Sequence, residues 1–268
     1  MHPVTGRVLS IAGSDSGGGA GIQADIKTCT ALGCYGMTAI TAITAQNTVG
    51  VRSVFDLPLA QVQAQIDAVY EDIGVDAVKT GMLANAALVR GTAQALKKHH
   101  AINLVVDPVM ISKSGAVLLR EDAVETMKEH LIPMATVVCP NIPEAEVLTG
   151  VSIRNEKDIE IVLKHLYALG PQYVLLKGGH LESPDANDFL YDGRDIQVYP
   201  SPRIVTTHTH GTGCTYSAAI ACFLSRQETL PRAVQLAKEY LTQAILQGGK
   251  LQVGHGTGPL HHGWNIGA

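Results

Sequence analysis

The sequence predicts one α/β domain over residues 1–268, with a mainly parallel central sheet and helices on both faces. Its 268 residues, 46% of them hydrophobic, are enough to form one large core. Short runs that are apolar throughout and rich in β-branched residues indicate strands covered on both faces. Amphipathic segments of helix length separate these runs, and alternating strands and helices are typical of a doubly wound sheet.

Several runs have the composition of buried parallel strands. They are residues 8–12, 37–44, 75–79, 103–107, 136–139 and 173–177. Residues 189–199 instead predict a hairpin, because Asp192 and Gly193 form a turn signal between two strand-like runs. We expect this hairpin at a sheet edge.

Two segments show how the helices are predicted. In residues 59–71, apolar side chains recur at spacings of three and four residues and form one stripe. Asn155 is a predicted N-cap for a second helix, which Gly170 and Pro171 end. Both helices are expected to pack an apolar face against the sheet.

Composition excludes several classes of protein. The net charge is −4 and aromatic residues make up 4%, so the chain lacks the basic patch and stacking residues of a nucleic-acid-binding protein. The five cysteines include no CxxC pair, which disfavours a disulfide framework or a zinc site and fits a reducing cytoplasm. No segment approaches the length and apolarity of a membrane span. We therefore expect a cytoplasmic protein with a small-molecule substrate.

The loops after the strands carry the candidate site, because ligands of such sheets bind where strands end and helices begin. Residues 13–25 are rich in glycine but match neither the Walker A loop nor the GxGxxG fingerprint. Their backbone N–H groups suit close approach by a ligand, with Asp15 and Asp25 as polar groups. Further along, Gln46 offers a donor and an acceptor to a flat heterocycle, and Met82 can lie against an aromatic ring. Ordinary loop and core roles explain these last two side chains equally well.

Two further loops carry carboxylates. Asp107 stands at a strand end before a proline, and Glu144 lies near Asn141 at the start of a predicted helix. Hard oxygen ligands on neighbouring loops are typical of a magnesium site rather than a zinc or redox site. Lys113, in a loop that ends in glycine, is a candidate for a flap over an anion, with a solvated turn as the equal alternative.

Cationic and glycine-rich elements complete the candidate site. Lys177 ends a strand before two glycines, where it can reach a phosphate. Residues 210–214, HGTGC, open an apolar helix, so their N–H groups and the positive end of the helix dipole form an anion hole. Phosphoryl transfer needs positioned reactants, neutralised phosphate charge and donors aimed at the transferred group. The residues therefore predict a kinase for a small alcohol.

Seven motifs, in this order, resemble the hydroxymethylpyrimidine and phosphomethylpyrimidine kinases of thiamine biosynthesis, within the ribokinase-like superfamily. They are GSDSGGGAGIQADIKT, TAQNT, VKTGML, DPVMISKSG, PNIPEAEVLTG, LLKGGH and THGTGCTYSAAIA. The resemblance implies a ribokinase-like three-layer sandwich, ATP and Mg²⁺ as cofactors, and a homodimer. It also implies phosphorylation of 4-amino-5-hydroxymethyl-2-methylpyrimidine and then of its monophosphate, giving the diphosphate.

The resemblance further implies a role for each matching residue. The pyrimidine-binding residues would be Gly13, Asp25, Gln46, Met82 and Val109. The residues of the transfer step would be Cys214, Gly211, Gly213 and Lys177. The nucleotide would be held by Lys177, Asn141, Thr212 and Lys113, and Mg²⁺ by Asp107 and Glu144.

Cys214 stands where many sugar-kinase relatives have an aspartate base. A thiol pKa falls at a helix N-terminus, so we hypothesise that a Cys214 thiolate accepts the proton of the attacking hydroxyl. Shaping of the pocket is the alternative role. His208 departs from the family pattern, which has asparagine before Thr-His-Gly, so its contacts on the nucleotide side stay open.

Three other functions are open from the sequence. A pyridoxal kinase would accept a similar flat ring with a hydroxymethyl group. An NAD-dependent oxidoreductase would use a doubly wound sheet, but the GxGxxG fingerprint is missing. A catalytically silent ligand sensor is the third.

Overall fold

The structure is a computed structural model, and it describes residues 6–110, 120–180 and 185–266. The strands are β1 (Arg7–Ser14), β2 (Tyr35–Gln46), β3 (Val51–Asp56), β4 (Ala77–Thr80), β5 (Leu104–Val106), β6 (Val137–Val138), β7 (Tyr173–Leu176), β8 (Asp188–Tyr191) and β9 (Ile196–Tyr199). The helices are α1 (Gly21–Ala31), α2 (Leu59–Asp72), α3 (Ala86–Lys98), α4 (Glu121–Thr126), α5 (Ile142–Thr149), α6 (Glu156–Tyr167), α7 (Thr212–Ser225) and α8 (Leu230–Gly248).

The strands of these described residues form one sheet in the order β3-β2-β1-β4-β5-β6-β7-β8-β9. The pairs from β2 through β7 are parallel, whereas β2–β3, β7–β8 and β8–β9 are antiparallel. The predicted hairpin at the sheet edge is confirmed, with Gly193 at a φ of 93° in its turn. A parallel centre with antiparallel edges results.

Helices cover both faces of the sheet. Ile66 of α2 and Leu163 of α6 belong to the core on one face. Ile220 of α7 and Ala237 of α8 belong to the core on the other. The predicted three layers, with a sheet between two sets of helices, are confirmed. None of the described helices is long and apolar enough to cross a membrane.

The edge strand β3 was not predicted from the sequence. Its side chains are mostly exposed, so it lacks both the continuous apolar run and the alternation that identify strands. Phe55, for example, is 66% exposed and pairs with Ile43, which is 50% exposed. Exposure on both faces removes the pattern that sequence reasoning uses.

The helix predictions hold closely. The helix predicted over residues 59–71 is α2, and Asn155 caps α6 by accepting the N–H of Lys157 at 3.0 Å. The chain after α6 turns at Gly170, which has a φ of 101°. These local signals suffice because they act within a few residues of each other.

The sheet order creates a crevice at its carboxyl edge. From β1 the chain passes through α1 to β2 on one side, and from β4 it passes through α3 to β5 on the other. The loops after β1 and β4 therefore diverge, and ligands of open α/β sheets bind at such a switch point.

Candidate active site

A cavity of about 380 Å³ lies at this edge of the sheet. Most of the predicted site residues line it: Gly13, Gln46, Met82, Asp107, Val109, Asn141, Glu144, Lys177, Gly211, Thr212, Gly213 and Cys214. Asp25 does not line the cavity, and Lys113 lies outside the described residues. A volume of this size suits a small-molecule ligand.

The first half of the cavity, which we call the ring half, is lined by Gly13, Gln46, Met82 and Val109. Backbone and side chains pack closely there. A Cβ atom at Gly13 would lie 3.1 Å from the Sδ atom of Met82, so a glycine is needed for this approach. The Thr41 hydroxyl donates to the backbone carbonyl of Met82 at 2.6 Å and fixes the loop after β4. Gln46 adds a polar amide to this apolar half.

Asp15 organises the glycine-rich loop beside the ring half. Its carboxylate accepts the N–H groups of Gly17, Gly19 and Ala20 at 2.8, 3.1 and 2.8 Å. It also contacts Nε2 of His210 at 2.9 Å. Burial alone would raise the pKa of Asp15, but the bonds from His210 and the backbone hold that pKa below its ordinary value. Asp15 is thus a buried carboxylate, and Nε2 of His210 carries the proton between them.

This proton fixes the orientation of the Gln46 amide. The amide nitrogen of Gln46 lies 3.3 Å from Nε2 of His210, and the amide oxygen lies 3.3 Å from the Thr44 hydroxyl. The Thr44 hydroxyl gives its proton to the Ser14 carbonyl at 2.7 Å, so it can only accept from Gln46. Both neighbours therefore favour the amide rotated by 180°, with its oxygen toward His210 and its NH₂ group toward Thr44, since the two ends of an amide have nearly the same shape.

The second half of the cavity, the anion half, begins with the first turn of α7. Gly211 is its N-cap residue with a φ of 87°, and a Cβ atom there would clash with the Gly19 carbonyl. The first N–H groups of a helix have no partner within the helix. The Thr212 N–H donates to the Thr209 carbonyl at 3.3 Å, whereas Gly213 and Cys214, which line the cavity, carry the next N–H groups at the place of the predicted anion hole.

A buried ion pair lies beneath this turn. Lys177 Nζ is 2.8 Å from Oδ1 of Asp107, whose Oδ2 accepts the Ser217 hydroxyl at 3.2 Å. The Asp107 side chain is 2% exposed and that of Lys177 is 13% exposed. Burial alone would lower the pKa of Lys177, but the Asp107 and Glu144 carboxylates raise it, so the lysine is a cation.

Glu144 brings a second carboxylate to the same place. It forms a capping box with Asn141: Asn141 N–H donates to Oε2 of Glu144 at 2.8 Å, and Glu144 N–H donates to Oδ1 of Asn141 at 2.9 Å. Burial and the charge of Asp107 raise the pKa of Glu144 to about 7, against the opposing effect of Lys177. Two carboxylates thus interact with one lysine, so a further cation can balance the remaining negative charge.

The expectation of a lowered thiol pKa at Cys214 is wrong. Burial raises the pKa of the Cys214 thiol to about 11, and the carboxylates of Asp25 and Asp107 add to this effect. Lys79 and the backbone N–H of Gly21 oppose it but do not outweigh it. At pH 7 the thiol is therefore almost entirely neutral.

Sequence reasoning missed three side chains of the site: Lys79, His210 and Ser217. Lys79 is fully buried, lines the cavity and binds Asp25, which sits behind the cavity lining. Asp25 was predicted to touch the substrate, and the geometry gives it an indirect position instead. A lysine ending the apolar run of residues 75–79 was the available signal.

His208 does not line the cavity. Its ring packs against Gly258, and among the described residues its Nδ1 atom has no hydrogen-bond partner. The departure from the family pattern at this position therefore leaves the anion hole intact.

Comparison with known proteins identifies the family of this chain. The family model described as phosphomethylpyrimidine kinase matches residues 15–261. The chain belongs to this family. The hydroxymethylpyrimidine/phosphomethylpyrimidine kinase of Streptomyces coelicolor is 50% identical over 260 residues, which are 97% of this chain and 95% of that protein. The thiamine biosynthesis bifunctional protein ThiED of Geobacter sulfurreducens is 50% identical over 257 residues, 96% of this chain but 52% of that protein.

A solved structure supports the fold assignment. The ADP complex of the Bacillus subtilis pyridoxal kinase has a TM-score of 0.88 at 38% identity, covering 96% of this chain and 97% of that one. The resemblance drawn from the seven motifs, the ribokinase-like fold and the assignment as a kinase are confirmed. An oxidoreductase or a silent sensor is therefore not the main function.

Proposed function

We propose that the protein transfers the γ-phosphoryl group of ATP to 4-amino-5-hydroxymethyl-2-methylpyrimidine, and then phosphorylates the monophosphate to the diphosphate. One observation carries this proposal: the ring half and the anion half belong to one cavity, and Cys214 lines it. A flat heterocycle and a phosphate chain can then meet in one space. The names and sequences of the relatives support the same substrate.

The ring half suits the pyrimidine. Met82 and Val109 offer apolar surfaces for a flat ring, and Gln46 offers one donor and one acceptor to its edge. The Asp15–His210 pair acts on the ring through the amide whose orientation it fixes. Neutral groups dominate this half, as expected for an uncharged ring.

The anion half suits the transferred group. The acceptor hydroxyl attacks the γ-phosphorus in line, so a new O–P bond forms while the bond to the ADP oxygen breaks. The N–H groups of Gly213 and Cys214, at the start of α7, would stabilise the charge that develops, and Lys177 supplies a cation. The Cys214 thiol is neutral at rest, and it is the thiolate form that takes the proton of the hydroxyl as the new O–P bond forms.

The two acceptors make different demands on Cys214. The first is an alcohol, which must lose a proton. The second is a phosphate monoester, whose oxygen is already anionic at neutral pH. The proton acceptor at Cys214 is therefore needed in the first transfer and dispensable in the second.

The donor set fits Mg²⁺. In the described residues no group of three or more His, Cys, Asp and Glu side chains could hold a metal by itself. Mg²⁺ in kinases is commonly held by one or two carboxylates together with substrate phosphates and water. Asp107 and Glu144 are such a pair, and the ion would neutralise phosphate charge when bound. ATP use is supported by the ADP complex of the related pyridoxal kinase.

The second candidate is a pyridoxal kinase, favoured by that structural likeness. The test is an assay of ADP release with hydroxymethylpyrimidine, its monophosphate and pyridoxal in parallel, with product masses. We expect the highest specificity constant for the pyrimidine and a diphosphate from its monophosphate. A higher constant for pyridoxal would reverse the assignment.

The homodimer and the cytoplasmic location are also proposals. Ile43 and Phe55, paired across β2 and β3, are 50% and 66% exposed and offer an apolar surface to a second copy. Sedimentation should give twice the chain mass for the wild type. Phe55→Asp should shift the protein toward monomer, and a monomeric wild type would contradict the proposal.

A further inference from the structure

A second buried ion pair, separate from that of Lys177, also contributes a lysine to the cavity lining. Lys79 on β4 and Asp25 on α1 are 0% and 1% exposed. Lys79 Nζ contacts the two carboxylate oxygens of Asp25 at 2.9 and 3.1 Å, and the Ser10 hydroxyl donates to the same carboxylate at 2.5 Å. The kinase reaction as described above does not use this pair.

The pair is oriented with its cation toward the cavity. Lys79 lines the cavity together with Cys214, whereas Asp25 lies behind it. An ammonium group has three donors, and the carboxylate of Asp25 occupies at most two of them. The side of the pair that faces the ligand is therefore positive.

Stability alone is a weak reason for such a pair. Desolvation of two charges often exceeds their attraction, and apolar replacements of buried pairs are often neutral or stabilising. A role in the reaction explains why a lysine occupies a position that is 0% exposed in a central strand.

Cys214, the group at the reacting site, lines the same cavity as the Lys79 ammonium. The charged groups that act on its thiol come from three elements: Lys79 from β4, Asp25 from α1 and Asp107 from the end of β5. The Gly21 N–H also acts on it. Lys79 is the cation of this set, and the other two charges are carboxylates.

We propose that Lys79 is a positioning residue for phosphoryl transfer, which acts through Cys214. Held by Asp25, its ammonium stabilises the Cys214 thiolate, which accepts the proton of the acceptor hydroxyl as that oxygen bonds to phosphorus. Asp25 holds the lysine in place and partly cancels the effect of its positive charge on the thiol. The effect on catalysis rests on the proposed function, but the interaction between the Lys79 ammonium and the Cys214 sulfur does not.

The test is the pH profile of Cys214 alkylation by iodoacetamide, followed by peptide mass spectrometry on the full-length protein. Cys214 is half-buried and the other four cysteines are buried, so the reagent reports this thiol. Lys79→Met should raise the thiol pKa, and Asp25→Asn should lower it. Each pKa unit should change the rate at fixed pH about threefold, because thiolate fraction and nucleophilicity change in opposite directions.

Shifts of opposite sign support the proposal. A purely structural role would loosen the cavity in both variants and speed alkylation in both, and equal or absent shifts would overturn the proposal. If a single variant fails to fold, the double variant Lys79→Met/Asp25→Asn replaces the pair by neutral groups. Its thiol pKa should exceed that of the wild type, because Lys79 acts on the thiol more strongly than Asp25. An unchanged or lower pKa overturns the proposal, and kinase activity enters neither readout.

Discussion

The ring half and the anion half of the cavity are built by different forces. Gly13, Met82 and Gln46 hold the ring half through close packing and hydrogen bonds between neutral groups. In the anion half, Lys177 and Asp107 form a buried ion pair beside a helix N-terminus. We therefore expect one half to recognise the shape and hydrogen-bonding pattern of the ring, and the other to bind and stabilise the charged phosphate groups.

This difference separates binding from chemistry. Interactions that are equally strong in substrate and transition state change KM, whereas those that grow with developing charge change kcat. We therefore expect variants in the ring half to act mainly on KM for the pyrimidine. Variants in the anion half should act mainly on kcat.

The largest effect is expected for Lys177→Met. Loss of the cation should lower kcat/KM by about 10²- to 10³-fold, as for removal of one transition-state donor. It should also destabilise the fold by about 3 kcal/mol, because Asp107 is left as an unpaired buried carboxylate. Steady-state kinetics and chemical unfolding measure the two effects.

Lys238→Met is the matched control. Lys238 is also 13% exposed and pairs with the buried Asp188 at 2.6 Å, but neither residue lines the cavity. The Lys238→Met variant should lose a similar free energy of unfolding, and its kcat/KM should stay within about twofold of the wild type. Equal activity losses in the two variants would show that the charge of Lys177 has no special role.

Cys214→Ala should separate the two transfers. The rate with the alcohol acceptor should fall about 10²-fold, the usual contribution of a proton-transfer group, while the rate with the monophosphate stays within a few-fold. Single-turnover assays with each acceptor measure this, with Cys139→Ala as a control, since Cys139 is buried but does not line the cavity. Near-normal rates with both acceptors would leave Cys214 a role in pocket shape only.

The sequence predicts the fold and the composition of the anion half well. Strand ends, glycines and caps are local signals, so Asp107, Lys177 and residues 211–214 could be selected without coordinates. The orientation of Asp25 could not be predicted in this way, because Asp25 and Lys79 come together only when β1 pairs with β4 in the folded sheet. The prediction of a lowered pKa for the Cys214 thiol was wrong for the same reason. The helix N-terminus is a local signal, but the carboxylates that oppose it come from distant segments of the chain.

Gln46→Ala tests the ring half. Loss of the amide should raise KM for the pyrimidine about tenfold, with kcat and KM for ATP within about twofold, since one neutral hydrogen-bonding group is removed. Gln65→Ala is the control, because its amide bonds the backbone of Ile40 on the same strand, outside the cavity. A fall in kcat with unchanged KM would contradict the division between the two halves.

The smallest effect concerns the pH dependence of stability, and it follows from Glu144 in the anion half. Its pKa in the folded protein is about 7, above the ordinary value of 4.5. Between these values the unfolded chain releases the proton while the folded protein keeps it. Stability is therefore fully present below about pH 4.5 and is lost as the pH rises toward 7.

Glu144→Gln should remove this loss and keep the capping box, because glutamine also serves at that position. Without Mg²⁺ or nucleotide, the Tm of the wild type should fall between pH 5 and pH 8 by on the order of 5 °C more than that of the variant. Glu146→Gln on the same helix should behave like the wild type, since its Oε1 bonds Ile153 N–H outside the cavity. Parallel Tm curves for all three proteins would mean that Glu144 is ionised in the folded state at neutral pH. Asp107 and Glu144 would then both be ionised before any cation binds. In the alternative that we expect, Glu144 is partly protonated and loses its proton when the cation binds.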